Sequence, residues 1–132
     1  MSYYGGKQNM LKHILPKIPP HKSYIEPFFG GGAVFWAKDP SPFEVVNDIS
    51  DRLMTFYKVL KYDFDEIEKL VDDTFHSRAQ HRESHDLYIS QKGEITRQIE
   101  CAWSVWLQSN MSFSKIIGGG FGYDRSGNCA LA

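Results

Sequence analysis

The segment Tyr24-Ile25-Glu26-Pro27-Phe28-Phe29-Gly30-Gly31-Gly32 constrains this chain more than any other. A short apolar run that enters three glycines and leaves through Ala33-Val34-Phe35-Trp36 reads as strand, tight turn and helix. Glycine is required in such a turn because a Cβ would forbid its dihedrals or block a ligand's approach to the backbone. The helix that follows offers unpaired N–H groups. Eighteen residues after Gly30 comes Asp48, at the end of a second strand, Glu44-Val45-Val46-Asn47. An acid at that place can accept hydrogen bonds from both ribose hydroxyls of an adenosine. The pair of signals suits a dinucleotide or S-adenosylmethionine equally.

Around this core, Met10, Leu11, Ile14 and Leu15 share one face of a predicted helix over 7–15 that stops at Pro16. Leu53, Met54, Phe56, Tyr57 and Leu60 predict another from Ser50 onward. Helix, strand, helix, strand, helix implies a parallel α/β layer over residues 1–60. From 61 to 132 helical spacing dominates, and Ser109 to Asn128, with Gly118-Gly119-Gly120-Phe121-Gly122 at its centre, reads as a long loop or hairpin.

Composition narrows the class. With 132 residues, 42% hydrophobic and 14% aromatic, the chain suffices for one modest folded core. No long apolar run predicts a membrane span, and Met1-Ser2-Tyr3-Tyr4-Gly5 lacks signal-peptide character, so a cytoplasmic location is expected. Cys101 and Cys129 have no metal-like spacing and are expected to be free thiols. Net charge is −1, so any nucleic-acid contact must be a local patch. Residues 61–132 carry 8 Lys and Arg against 11 Asp and Glu, which gives no electrostatic support for DNA binding there.

Three segments, Tyr3-Tyr4-Gly5-Gly6-Lys7, Glu26 to Phe35, and Asn47-Asp48-Ile49-Ser50, resemble in order and spacing three motifs of the Dam-type adenine-specific DNA methyltransferase family. These are aromatic-x-Gly-Gly-Lys, Glu-Pro-Phe-x-Gly-x-Gly and an Asp-Ile-Asn-like strand end, covering about residues 3 to 60. The resemblance implies an α/β fold: an incomplete Rossmann-like sheet of an S-adenosylmethionine-dependent methyltransferase over 1–60, with a mostly helical target-recognition region over 61–132. It implies site-specific DNA adenine N6-methylation, as in restriction–modification or phage and prophage settings, with double-stranded DNA as partner. S-adenosylmethionine is the implied cofactor, bound by Tyr3, Lys7, Glu26, Phe28, Gly30, Gly32 and Asp48. Tyr3 would stack near it, Lys7 would reach its polar end, Phe28 to Gly32 would wrap the methionine moiety and Asp48 would hold the ribose. Tyr3 stands where the family often has Trp. By placement, Asn110, Ser112, Lys115 and Arg125 are candidate DNA contacts, with a plain surface loop as the competing reading.

The family transfers the methyl group through an Asp-Pro-Pro-Tyr type motif, and no such tetrapeptide occurs here. Asp39-Pro40-Ser41-Pro42-Phe43 lacks adjacent prolines and lies before the second strand. No catalytic residue is therefore assigned. The expectation is an amino-terminal portion, inactive alone, completed by a second chain or a further carboxy-terminal segment. A non-catalytic DNA-binding or phage-derived remnant is the alternative, and a small nucleotide-binding oxidoreductase a third reading. Trp103 and Trp106 are expected in the core. His81 and His85, four apart, are read as a solvated face without a third metal ligand.

Overall fold

The computed structural model describes residues 3–122. They form two compact units, Gly5–Ile49 and a second that joins the residues up to Tyr4 to those from Ser50 onward. This packing boundary precedes the sequence-based division near residue 61, because the helix expected to close the α/β layer packs with the later helices.

In the unit Gly5–Ile49 the predicted opening helix is a 3-10 turn, Lys7–Met10, one α turn, α1 (Leu11–Ile14), and a second 3-10 turn, Leu15–Lys17. Neither Gly6 nor Met10 caps it with a side chain, and Pro16 removes a donor near its end, so nothing in the sequence prolongs it. Strand β1 (Ser23–Glu26) lies parallel to β2 (Phe43–Val46), with Ser23 opposite Phe43 and Glu26 opposite Val46. β1 stops before Pro27, which has no N–H for a ladder. The crossover carries α2 (Ala33–Ala37).

One face of the strand pair carries Ile25, Phe43 and Val45, and the other carries Tyr24, Glu26, Glu44 and Val46. Phe29 and Val34 are buried, whereas Ile25, its partner Val45, and Phe43 are exposed. Just after α2, the almost fully buried Lys38 ammonium pairs with Glu44 of β2 and sits 4.3 Å from the Tyr24 ring centroid. Lys38, donating to the Glu44 carboxylate, is the main reason that group titrates at about 2 rather than 4.5.

The larger unit holds α3 (Asp51–Tyr62), α4 (Phe64–Asp72), α5 (Arg78–Ser90) and α6 (Gln98–Met111). Ser50 and Ser77 cap α3 and α5, accepting from the N–H groups of Leu53 and Gln80. Leu53, Phe56 and Val59 of α3 pack with Ile67 of α4 and with Ala102 and Val105 of α6. Trp103, Leu107 and Met111 form a second cluster on α6, and Trp106 packs against both. The two tryptophans are thus core residues, and the Trp103 indole N–H donates to Thr74 Oγ1 at 2.8 Å.

α6 is buried nearly all round, so its polar residues must find partners inside. Ser104 and Ser109 bond back to the carbonyls of Cys101 and Trp106, both at 2.7 Å. One expectation is overturned here: His81 is buried rather than solvated, its ring in contact with Phe121 and its Nε2 3.0 Å from Ser112 Oγ. Among the described residues no helix is long and apolar enough to cross a membrane.

Candidate functional site

Parallel pairing brings the carboxyl ends of β1 and β2 side by side, and the ladder continues into the glycine turn. Asn47 N–H donates to Glu26 O and Phe29 N–H to Asn47 O, both at 2.9 Å. The Gly30 N–H then donates to Asp48 Oδ2 at 2.8 Å, closing the turn onto the acid eighteen residues later. Gly30 and Gly32 adopt φ of 54° and 67°, in the left-handed region that favours glycine. At Gly32 a Cβ would come within 2.7 Å of Phe29 Cζ and 2.5 Å of Trp36 Nε1.

Lys7 crosses from the amino-terminal segment to the same place. Its ammonium donates to Glu26 Oε1 at 2.6 Å and to Phe28 O at 3.0 Å. The other Glu26 oxygen accepts from the Tyr24 hydroxyl at 2.8 Å, so a buried carboxylate is balanced by one cation and one phenol. Burial first, and then Glu26, push the Tyr24 hydroxyl well above its ordinary pKa, keeping it a donor. Tyr24 was not singled out by the sequence reading. Its i, i+2 spacing from Glu26, which puts both on one strand face, was the available signal.

The structure therefore joins Lys7, Glu26 and Phe28 through direct bonds, and Gly30 to Asp48 through another. The Phe28 side chain is 79% exposed. Tyr3 belongs to the other compact unit, where it lines a cleft of about 200 Å³ with Ser50, Leu53, Tyr88 and Val105. Among the described residues no group of three His, Cys, Asp or Glu side chains could hold a metal ion.

The candidate DNA contacts follow α6. Asn110 Nδ2 donates to Trp106 O at 2.9 Å, and its own carbonyl accepts from Lys115 Nζ at 3.1 Å. Ser112 is buried, and its hydroxyl donates to Gln108 Oε1 at 3.0 Å, so it ties the turn down instead of facing solvent. Gln108 is the hub: its Nε2 donates to His81 O and Ser84 Oγ, while its Oε1 accepts from Ser112 and from the Gly118 N–H. An isolated antiparallel bridge pairs Ser112 with Phe121. At the tip Ser114 and Lys115 have φ of 55° and 60°, unfavourable for residues with a Cβ, beside an exposed Phe113. Arg125 and Cys129 lie outside the described residues.

A family model described as D12 class N6 adenine-specific DNA methyltransferase matches residues 3–118. The chain belongs to that family. Among its relatives, the Type II methyltransferase M.MjaIII of Methanocaldococcus jannaschii is 38% identical over 76 residues, 51% of this chain and 26% of its own length. The Type II methyltransferase M1.LlaDCHI of Lactococcus lactis subsp. cremoris is 33% identical over 99 residues, 73% of this chain and 34% of its own. The DNA adenine methylase of Escherichia coli (strain K12) is 31% identical over 75 residues, 57% and 27% respectively. The chain thus spans about a quarter to a third of the length of these relatives.

Proposed function

We propose that the protein serves S-adenosylmethionine-dependent N6-methylation of adenine in double-stranded DNA, and that Gly5–Ile49 supplies the cofactor cradle. One observation carries the reading. A glycine turn and an acid stand at the adjacent carboxyl ends of two parallel strands, joined by the Gly30 N–H to Asp48 bond. In open α/β sheets ligands bind at such strand ends. The donor set suits the cofactor: a carboxylate for ribose hydroxyls, an ammonium for a carboxylate, and a glycine turn that admits close approach.

In this reading β1, α2 and β2 are part of a Rossmann-like sheet, residues 1–60 bind cofactor and 61–132 recognise DNA. Asp48 accepts from the ribose hydroxyls while holding the turn. Lys7, steadied by Glu26 and Tyr24, points its charge at the cofactor's polar end, and Phe28 to Gly32 wrap the methionine moiety. When bound, S-adenosylmethionine supplies a methyl group on a positively charged sulfur. Asn110, Lys115 and Arg125 contact DNA, with Ser112 holding the turn that presents the first two. Since residues 1–132 include no Asp-Pro-Pro-Tyr type sequence, the chain binds cofactor without transferring the methyl group by itself, and a further segment or second chain supplies that motif. The expected location is cytoplasmic.

Calorimetric titration with S-adenosylhomocysteine tests the reading. Asp48→Asn keeps an oxygen acceptor for the Gly30 N–H but removes the charge, so it should weaken binding roughly 10- to 100-fold, the worth of a charge-assisted hydrogen bond. Absence of saturable binding by the unaltered chain would overturn the proposal.

A further inference from the structure

Helix α5 opens with two exposed arginines and turns acidic from Glu83 onward. Arg78 and Arg82 are four residues apart, project to the same side, and are both exposed. Asp86 follows Arg82 by four residues, one turn along, and with Glu83 it lines a cleft of about 640 Å³ together with Asp73, Arg97, Glu100 and Trp103. The side with His81 and Ser84 is buried. A segment whose charge sums to an acidic excess thus still has a basic stretch at the start of α5, while four of its eleven acids line one cleft.

The two arginines differ from the other described ones. Arg97 pairs with Glu100, and Arg52 donates to Tyr88 O while stacking on that ring. Neither Arg78 nor Arg82 has an ion-pair partner among the described residues. Arg78 also stands in the first turn of α5, where the helix dipole disfavours a cation and no acid offsets it. It is held by the Phe121 ring, with Cζ 5.3 Å from the centroid, and exposed His76 lies against the same ring at 5.5 Å. Phe121 bridges Ser112, so the basic flank adjoins the turn proposed above to meet DNA.

We infer that the Arg78 and Arg82 flank at the start of α5 binds the phosphate backbone of duplex DNA, and that the acidic cleft beyond it sets orientation by repulsion. The inference rests on the DNA-binding reading and adds residues that reading did not contain. A planar guanidinium with five donors suits phosphate oxygens, and such contacts position a protein on DNA without reading its sequence. An anion near the first turn would also reverse the unfavourable placement of Arg78.

The test is fluorescence anisotropy of the full chain with a labelled duplex across a salt series, beside Arg78→Ala/Arg82→Ala and Arg78→Lys/Arg82→Lys. Each lost phosphate contact lowers the slope of log affinity against log salt by about 1, so the alanine pair should flatten it by roughly 2 and weaken low-salt binding about tenfold. The lysine pair, which keeps the charge, should restore most of the slope. Circular dichroism of both variants confirms that α5 is intact. Binding by the unaltered chain with an unchanged slope in a folded alanine variant would overturn the α5 assignment alone. Absence of salt-dependent binding by the unaltered chain would overturn the DNA-binding reading and this assignment together.

Discussion

Gly32 illustrates how much one residue decides. Its φ of 67° is costly for any side chain, and a new Cβ would meet Trp36, which is exposed and can swing away, and Phe29, which is buried and cannot. Gly32→Ala is expected to destabilise the unit Gly5–Ile49 by about 1–3 kcal/mol, seen as a lower urea midpoint. His81 sets a pH dependence at the same scale. Burial first, then the charge of His85, lower its pKa from 6.5, so the unfolded chain takes up the proton before the folded one does. Stability should therefore be fully present above about pH 6.5 and fall as the pH drops from there towards the lowered folded value. The groups in contact with the ring are Ser112 and Phe121, and the charged group acting on it is His85, four residues along α5. Urea midpoints between pH 7 and 5 should fall more steeply in the unaltered protein than in His81→Gln; equal slopes would remove His81 as the cause.

Among the elements, α6 and the turn after it depend on Gln108, whose amide is satisfied on both ends inside the core. Gln108→Leu would strand the Gly118 N–H and remove a donor from Ser84, at a cost of roughly 2–4 kcal/mol. Amide exchange at Gly118 should quicken before global unfolding does; unchanged exchange there would show that the turn is held by other contacts. The same elements show what a sequence can and cannot disclose. β1, the glycine turn, α2 and β2 were legible because glycines, Pro27 and apolar runs act locally. Helical spacing likewise exposed the apolar face of α3. His81 was misread because its burial depends on Ser112, 31 residues away, which no local pattern signals. The basic flank of α5 was hidden by counting charge along the chain, since a sum over a long segment conceals a local pair of arginines. The bond from Gly30 to Asp48 was foreseeable as proximity, though not as a contact that braces the turn from within.

Across the whole molecule, hydrophobic burial is unequally shared. Both clusters of buried apolar side chains belong to the larger unit, with Cys101 fully buried there and its thiol pushed up to about 11, first by burial. Gly5–Ile49 relies instead on Phe29 and Val34, eight residues of paired strand, a half-buried ion pair and the braced turn. On one side of that strand pair Ile25, Val45 and Phe43 meet water, and among the described residues neither outer backbone edge of the pair has a further strand. The colloidal behaviour of the purified protein follows from this patch. Sticky contacts scale with how often molecules meet, so concentration more than temperature should limit how the protein can be kept. Light scattering should rise with concentration at constant pH and salt, and Val45→Thr, which keeps the branched shape that strands favour but adds a hydroxyl, should raise the threshold.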